Sequence, residues 1–362
     1  MKLIYQLLDQ YDRRVSQKIH FPIASNKEFS HEFLLSGKRV CGEREQKDVR
    51  IDGIVNGQPG LTWIYVQSVC YCSAESAKPR KREPKTMRKI AVLNQKGGVG
   101  KTTTAVNLAA GLAQCGQKVC VLDLDPQAHA SLHLGLTLDD NEISIYDLLC
   151  GDALLEDVRR WVLPNLAIVQ ASLDLAAAEM ELAGEVGREV ILKDKIEMDQ
   201  SDFDFMILDC PPSLGVLTLN ALTAVDEVFL PLQPHFLALH GLSKLLRTIE
   251  LVAKRLNPSL KLEGIVLCMY ESGTRLAAEV SRDVEEFLQV SAAQSPVWAQ
   301  AKFFQTKIRR NIRLAEAPSF GQSIFAYAPN SHGSEDYMSL AYEVLAVDAK
   351  AVSNVEVHSV AS

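Results

Sequence analysis

Short runs of apolar residues alternate along most of the chain with longer segments in which apolar residues recur every three or four positions. A short continuous apolar run is typical of a strand that is buried on both faces, whereas the longer recurrence is typical of an amphipathic helix. The runs predict strands at Ile90–Leu93, Lys118–Asp123, Leu166–Gln170, Phe205–Leu208, Glu227–Leu232 and Leu262–Met269. The recurrences predict a helix after residue 101 and further helices near 173–182, 185–198, 241–256, 275–288 and 335–347.

This alternation of strands and helices predicts the fold class. Strands separated by single helices form βαβ units, whose strands lie parallel in one sheet with helices on both faces. We therefore expect an α/β domain with a mostly parallel sheet. Ligands bind such sheets at the carboxyl ends of the strands, so residues just beyond strand ends are the first candidates for a functional site.

The regular pattern begins near Met87, and the charge of the chain changes at the same place. Residues 1–86 hold 15 Lys and Arg against 10 Asp and Glu, a net charge of +5, whereas the remaining residues hold 23 against 35, a net charge of −12. The basic run Lys78–Lys85 contains two prolines and is typical of an exposed linker. We expect a poorly ordered N-terminal extension and linker at 1–86, a domain at 87–350 and a C-terminal tail at 351–362.

The N-terminal extension leaves several interpretations open. No amphipathic period in it is long enough to define a core, which favours a poorly ordered segment. A helix-turn-helix that reads DNA is the functional alternative. A further alternative is that the working protein starts at Met87.

Composition argues against two broad classes of protein. No run of about 18 apolar residues suggests a membrane span, and the first ten residues lack the apolar core of a secretory signal. The 8 cysteines are scattered along the chain, which is more typical of reduced thiols than of a disulfide framework. We therefore expect a cytoplasmic protein without stable membrane association.

A glycine-rich turn between the first predicted strand and helix reads KGGVGKTT at 96–103. Strand, glycine turn and helix are the context of a phosphate-binding loop, in which backbone N–H groups and the helix N-terminus attract phosphate. Lys101 is placed to reach the outer phosphates, and the Thr102 hydroxyl is placed to bind Mg²⁺. The predicted nucleotide-binding residues of the loop are Gly97, Gly98, Val99, Gly100, Lys101, Thr102 and Thr103. An additional lysine, Lys96, stands at the front of the loop.

Three acidic residues lie at or just beyond the ends of predicted strands. Asp123 ends the second predicted strand, Asp125 lies just past it, and Asp209 follows the strand at 205–208. Asp209 is placed where P-loop ATPases hold Mg²⁺ directly or through water, and Asp123 is a second candidate for the metal shell. Asp125 is placed to orient the attacking water. Solvated strand-end caps are the alternative interpretation, which three acids beside one phosphate loop disfavour.

Together these motifs resemble the ParA-type partitioning ATPases, a family with a deviant Walker-A loop. The resemblance covers roughly 87–348 and is carried by KGGVGKTT at 96–103, DLDPQ at 123–127, DCPPSLG at 209–215, LTLNALTAVDEVFLPLQP at 217–234, TRLAAEV at 274–280 and NIRLAEAPSFG at 311–321. It implies ATP and Mg²⁺ as cofactors and an ATP-sandwich homodimer in which Lys96 crosses to the partner's phosphates. Lys96, Lys101 and Asp125 are then the catalytic candidates.

The resemblance also implies a cellular role. It implies slow ATP hydrolysis that a ParB-type partner stimulates, non-specific DNA binding by the ATP dimer, nucleoid association, and chromosome or plasmid segregation. Asn311 is retained in a segment that lies against the adenine in relatives. Arg309 departs from the family pattern, because relatives have proline just before the segment at 310–311.

Basic residues near the C-terminal third are candidates for contact with DNA. Several lie close together in sequence with no acid among them before Glu316, and binding of phosphates requires only a local positive surface. The DNA-binding candidates are Arg275, Lys307, Arg309, Arg310 and Arg313. A solvated charged face is the alternative interpretation.

Two rival functions remain open at the level of the sequence. A MinD-like membrane-positioning ATPase shares the loop, but its basic amphipathic C-terminal helix has no counterpart in the terminal sequence AVSNVEVHSVAS. A nucleotide-dependent transcriptional regulator that reads DNA through residues 1–86 is the other alternative. The sequence favours the partitioning ATPase.

Overall fold

A computed structural model of the chain describes the backbone of the short strands between 18 and 60 and of residues 86–137, 142–235, 238–271, 273–292 and 295–359. Side chains are described from residue 86 onward, apart from those of 238–240, 291–292 and 347–359. The chain divides into two units, Met1–Glu83 and Pro84–Ser362. The second unit begins within three residues of the predicted boundary at Met87.

The first unit contains short antiparallel strands. They are β1 (Lys18–His20), β2 (Ser30–Leu34), β3 (Lys38–Cys41), β4 (Arg44–Lys47), β5 (Arg50–Val55) and β6 (Gln58–Gly60). Strands β1, β2, β5 and β6 pair in that order, and β3 pairs with β4. The prediction that 1–86 is poorly ordered concerns residues that mostly lie outside those described, and it stays a prediction.

The second unit is built on one sheet of eight strands. These are β7 (Arg88–Val92), β8 (Val119–Asp123), β9 (Arg159–Leu163), β10 (Leu166–Val169), β11 (Phe205–Asp209), β12 (Glu227–Leu232), β13 (Lys261–Tyr270) and β14 (Lys302–Arg309). Their order across the sheet is β14-β13-β12-β7-β11-β8-β10-β9. All neighbours are parallel except β9, which is antiparallel to β10. The mostly parallel sheet predicted from the sequence is confirmed.

Helices connect these strands. The longer ones are α1 (Lys101–Gln114), α6 (Ile191–Met198), α7 (Val216–Ala224), α8 (Ala238–Arg255), α9 (Arg275–Ala292) and α12 (His332–Ser359). Shorter ones are α2 (His129–His133), α3 (Ile145–Cys150), α4 (Leu155–Val158), α5 (Leu175–Glu181), α10 (Ile312–Glu316) and α11 (Ile324–Tyr327), with 3₁₀ turns at Leu182–Gly184 and Ala317–Phe320. Helix α12 continues through the boundary predicted between 350 and 351.

The core lies on both faces of the sheet. In β7, Ile90 and Val92 belong to one cluster of buried side chains, whereas Ala91 belongs to the other, as does Leu93 just beyond the strand. Successive side chains of a strand point to opposite faces. Both faces of the sheet are covered, so the side chains on both faces of a central strand are apolar. This explains the continuous apolar runs.

Two strands of the sheet were missed by the sequence pattern. Strands β9 and β14 are the two edges of the sheet, and each mixes buried or half-buried positions with exposed ones. Edge strands bury less of their surface and carry charged residues that discourage further pairing. Neither strand therefore has the continuous apolar run that marks the central strands.

Candidate nucleotide site

The glycine-rich turn connects the centre of the sheet to the first long helix. Gly98 and Gly100 have φ angles of 70° and 94°, which lie in the left-handed region that favours glycine. A Cβ atom added at Gly97 or Gly98 would meet no atom within 4 Å, so the backbone here is open to a ligand. Helix α1 starts at Lys101 without a side-chain cap, which leaves its first N–H groups for a bound anion.

The two lysines of the loop differ in environment. Lys101 is buried, with 7% of its surface exposed, whereas Lys96 and the two glycines that follow it are exposed. A buried ammonium close to the loop backbone is suited to a phosphate bound in the same loop. An exposed ammonium at the front of the loop is suited to a group that arrives from outside.

Asn94 fixes the front of the loop, although no sequence motif marks it. Its side-chain amide donates a hydrogen bond to the Pro231 carbonyl at 2.7 Å. Its side-chain oxygen accepts one from the backbone N–H of Lys96 at 3.0 Å. The side chain thus ties the start of the loop to β12, which is 137 residues away.

The acid that ends β8 is held by a serine that the sequence motifs also missed. Asp123 is fully buried; its Oδ2 accepts hydrogen bonds from the backbone N–H and the hydroxyl of Ser131, at 2.9 and 2.8 Å. Burial raises the pKa of Asp123 to about 6, although the hydrogen bonds from Ser131 lower it. Ser131 lies on α2, so this contact also anchors the segment that follows Asp125.

Asp209 is the most unusual polar group of the site. It is fully buried at the end of β11, and neither carboxylate oxygen has a partner at normal hydrogen-bond geometry. Burial and the charge of Asp123 raise the pKa of Asp209 well above its usual value, while Thr102 and the Lys101 ammonium lower it. A buried carboxylate without a partner is costly unless a ligand binds it.

This carboxylate fits a magnesium ion that is shared with phosphate. Mg²⁺ is bound by one or two carboxylates together with phosphate oxygens and water rather than by a full set of protein ligands. Among the side chains described, no group of three or more His, Cys, Asp and Glu has the arrangement of a protein-only metal site. Asp209, Thr102 and Asp123 therefore suit a cation that arrives with a nucleotide.

Asp125 begins a short loop beside these acids. One of its oxygens accepts the backbone N–H of Gln127 at 3.0 Å, and its own N–H donates to Asp123 at 3.3 Å. Ala128 follows with a φ angle of 52°, an uncommon backbone conformation for a residue other than glycine. Backbone strain of this kind is concentrated in ligand-binding and switch segments.

The segment after β14 contains the remaining predicted contact. Asn311 caps helix α10, because its side-chain oxygen accepts the backbone N–H of Arg313 at 2.9 Å. The neighbouring strand β13 reaches the phosphate loop, since a Cβ added at Gly100 would lie 3.6 Å from the Cβ of Cys268. Segment 309–311 starts at the last residue of β14, which pairs in parallel with β13, so it lies at the same carboxyl edge of the sheet as the loop.

The five basic candidates for DNA contact have different partners in the structure. Arg309 forms ion pairs with Asp336 and Glu335, at 2.6 and 3.1 Å. The other partners are Glu271 for Arg310 at 2.9 Å, Glu316 for Arg313 at 2.8 Å and the Tyr270 ring for Lys307 at 4.5 Å. Arg275 lies exposed at the start of α9. The acids that pair with these cations come mainly from other elements, which the local sequence does not reveal.

Comparison with known proteins decides the family. The AAA domain family matches residues 87–262. The sporulation initiation inhibitor protein Soj of Bacillus subtilis is 45% identical over 258 residues, which cover 71% of this chain and 98% of Soj. The chromosome partitioning protein ParA of Caulobacter vibrioides is 42% identical over 262 residues, 72% of this chain and 94% of that protein. The chain belongs to the ParA/Soj family of chromosome-partitioning ATPases.

A solved structure agrees with the fold of this ParA/Soj chain. Cobyrinic acid a,c-diamide synthase of Mycobacterium smegmatis, with bound ADP and magnesium, superimposes with a TM-score of 0.61 at 35% identity. The match covers 72% of this chain and 94% of that one. The fold is that of the P-loop nucleoside triphosphatases. No helix within the described part of the chain is long and apolar enough to cross a bilayer.

Proposed function

We propose that this ParA/Soj protein binds and slowly hydrolyses ATP with Mg²⁺ and forms an ATP-sandwich homodimer. The ATP dimer binds DNA non-specifically, and a ParB-type partner stimulates hydrolysis during chromosome or plasmid segregation at the nucleoid. The contrast between exposed Lys96 and buried Lys101 carries the proposal.

The cofactors follow from the site. The open backbone at Gly97 and Gly98 and the uncapped start of α1 suit the phosphates. The buried carboxylate of Asp209, whose oxygens have no partner at normal hydrogen-bond geometry, suits Mg²⁺, which, when bound, neutralises charge on the phosphate oxygens. The Mycobacterium smegmatis relative contains ADP and magnesium, which supports the same pair of ligands here.

Each proposed catalytic residue has a separate task. Lys101 holds the outer phosphates from within its own protomer, and Asp125 orients the attacking water. Lys96, exposed at the front of the loop, crosses to the phosphates of the second protomer and stabilises the negative charge there. A dimer that needs this contact forms only when the outer phosphate is present.

DNA binding rests on the exposed cations at the C-terminal side of the domain. Arg310 and Arg313 are exposed, and their ion pairs with Glu271 and Glu316 are of the surface type, which contributes little free energy. DNA phosphates can replace such partners. Arg275, Lys307 and Arg309 complete the proposed set, with Arg309 the most firmly held of the five by protein acids.

Sedimentation of the full chain tests the dimer. With Mg-ATP we expect the unmodified protein to dimerise and Lys96→Ala to remain a folded monomer. Lys302→Ala is the matched control. Lys302 is exposed at the amino end of β14, whereas the phosphate loop lies at the carboxyl ends of the strands. Unchanged ATP-dependent dimers in Lys96→Ala would reject the sandwich.

Binding assays of the full chain test the cellular role. We expect non-specific duplex DNA to bind with Mg-ATP, to bind weakly with Mg-ADP or without nucleotide, and to be released by added salt. Binding to anionic vesicles instead of DNA would favour the MinD-like positioning ATPase. Nucleotide-dependent binding to one DNA sequence in preference to others would favour the transcriptional regulator.

A further inference from the structure

Asp123 and Ser131 close a short loop that contains Asp125. Asp123 ends β8, and Ser131 lies in α2, eight residues further along the chain. The backbone N–H and the hydroxyl of Ser131 both donate to Asp123 Oδ2, at 2.9 and 2.8 Å. Ser131 and Asp123 are buried, with 2% and 0% of their surface exposed. Residues 123–131, closed by these two hydrogen bonds, form what we call the Asp125 loop.

Hydrogen bonds inside the Asp125 loop fix the position of Asp125 itself. Its backbone N–H donates to Asp123 Oδ1 at 3.3 Å, and its backbone carbonyl accepts the N–H of Ala128 at 2.8 Å. Its carboxylate accepts the backbone N–H of Gln127 at 3.0 Å. The φ angle of 52° at Ala128 is strained, and such strain persists only where surrounding contacts enforce it. Ala128 lies between the hydrogen bonds of Asp125 and those of Ser131, which hold its backbone in place.

The Ser131 hydroxyl also joins the Asp125 loop to the neighbouring strand. While it donates to Asp123, it accepts the backbone N–H of Ala171 at 3.2 Å. Ala171 lies just beyond the end of β10, which pairs with β8 in the sheet. A hydroxyl has a single hydrogen to donate, so one that donates to a carboxylate and accepts an N–H has a fixed orientation. Ser131 thus holds Asp123 from a position that the sheet determines.

Helix α2, which carries Ser131, is supported at its far end. Gly135 and Gly321 have φ angles of 77° and 60°, and a Cβ atom added at Gly135 would lie 2.9 Å from the carbonyl oxygen of Gly321. His133, the last residue of α2, is 1% exposed and forms a hydrogen bond with the backbone of Gln322. None of these contacts involves an acidic residue or the phosphate loop. They can therefore be altered without changing a group that is proposed to touch the nucleotide.

We infer that Ser131 is a positioning residue, which holds the Asp125 carboxylate where it orients the attacking water, and that the contact of Gly135 with Gly321 supports it through α2. The inference rests on the proposed function, in which Asp125 orients this water. Orientation requires a carboxylate held within a narrow range of positions, and small displacements lower the rate strongly. Loss of the Ser131 hydroxyl removes one of the two hydrogen bonds that close the loop, together with the link to Ala171. The loop then holds Asp125 less tightly, whereas the phosphate loop is unchanged.

Single-turnover hydrolysis of radiolabelled ATP by the full chain, together with the affinity for Mg-ADP, tests this inference. We expect Ser131→Ala to slow hydrolysis by about tenfold, while the affinity for Mg-ADP changes by less than about twofold. The side-chain hydrogen bonds of Ser131 join it to Asp123 and Ala171 and not to the phosphate loop. In a chain that already carries Asp125→Ala, the same substitution should cause no further loss of rate, because it acts through Asp125. A residue that only stabilised the fold would slow both chains equally.

Ser295→Ala is the matched control for loss of a buried serine hydroxyl. Ser295 is also 2% exposed, and its hydroxyl accepts the backbone N–H of Val297 at 3.4 Å. The Val297 carbonyl accepts the N–H of Leu262, near the amino end of β13, so this serine lies at the edge of the sheet away from the nucleotide site. We expect rate and affinity to stay within about twofold of the unmodified protein.

Gly135→Ala displaces α2 without a change to any acid, and it serves as a second variant should Ser131→Ala fail to fold. The added Cβ would lie 2.9 Å from the Gly321 carbonyl oxygen, so the two backbones must separate. We expect slower hydrolysis with the affinity for Mg-ADP retained, and again only where Asp125 is present. Gly116→Ala is its control. Gly116 has a similar φ angle of 82°, so alanine introduces similar strain there, but the added Cβ would meet no atom within 4 Å.

Three results would each overturn the inference. They are a normal rate in Ser131→Ala, an equal loss of rate with and without Asp125, and a loss of Mg-ADP affinity as large as the loss of rate. The last result would mean that Ser131 acts through a cation beside Asp123 rather than through Asp125. A normal rate in Asp125→Ala would refute the proposed role of Asp125 and the positioning role with it. A slow Asp125→Ala beside a normal Ser131→Ala would refute the positioning role alone.

Discussion

Asp209 lies directly opposite Asp123 in the register of the neighbouring parallel strands β11 and β8. Two buried carboxylates at adjacent strand ends repel each other, and this repulsion contributes to the raised pKa of Asp209. Ser131 partly compensates Asp123 through two hydrogen bonds, whereas neither oxygen of Asp209 has a partner at normal hydrogen-bond geometry. A bound cation would therefore stabilise this pair of carboxylates. It would stabilise Asp209 more than Asp123.

Lys101→Ala is expected to remove nucleotide binding or hydrolysis. The buried ammonium faces a loop with no other buried lysine, and loss of a preorganised charge contact to phosphate typically costs about two orders of magnitude or more. Turnover and Mg-ADP affinity of the purified protein measure the effect. Lys118→Ala, which removes an exposed lysine paired with Asp202, is the control, and near-normal turnover in Lys101→Ala would contradict the assignment.

Asp125→Ala is expected to impair ATP hydrolysis while ATP-dependent dimerisation is retained. The variant should still dimerise with Mg-ATP, because Asp125 is not part of the phosphate loop. Its turnover should fall by about a hundredfold or more if the carboxylate orients the water. Single-turnover hydrolysis is the measurement, Asp152→Ala at an exposed loop position is the control, and a normal rate would show that Asp125 has another role.

Glu227→Gln is expected to destabilise the domain by about 3 kcal/mol, the usual cost of removing one partner of a buried ion pair. Glu227 accepts two hydrogen bonds from Arg88, at 3.1 and 2.6 Å, and both side chains are about nine-tenths buried. Urea unfolding measures the free energy. Asp202→Asn breaks the exposed pair with Lys118 and should lower the free energy of unfolding by less than about 1 kcal/mol. Equal losses in the two variants would show that the buried pair stabilises the domain no more than the exposed one.

His133 is expected to make stability depend on pH. Burial lowers the pKa of His133 to about 4, against an ordinary value of 6.5, although a hydrogen bond with the Gln322 backbone raises it. The unfolded chain therefore binds more protons between these values, and the folded state loses about 3 kcal/mol as the pH falls from about 6.5 to about 4. His133→Gln should lack this share of the pH dependence, which unfolding titrations at several pH values measure. Parallel pH profiles for both proteins would contradict the prediction.

The prediction of the fold from the sequence was most successful where burial was complete. Strand β12 was predicted with the observed bounds, and β8 and β11 within one residue, because strands buried on both faces are apolar at every position between their ends. Strand β14 was missed because only Phe304 and Ile308 are fully buried in it. Its charges, taken by themselves, indicate a DNA-binding surface rather than a strand.

The residues of the candidate site also differ in how far the sequence revealed them. The phosphate loop and the three acids were recognisable because each is a short contiguous motif beside a strand end. Asn94 and Ser131 were not, since each acts through one long-range contact, with Pro231 and Asp123 respectively, that no local spacing encodes.

The sequence by itself determined the central strands, the phosphate loop and the family, because these depend on local burial patterns and contiguous motifs. Only the tertiary structure decided which groups meet across the sheet. It brought Asp209 opposite Asp123, paired Arg309 with an acid 27 residues away, and joined Thr104 to Tyr337 across 233 residues. These pairings depend on strand order and helix packing, which place distant residues within hydrogen-bond reach.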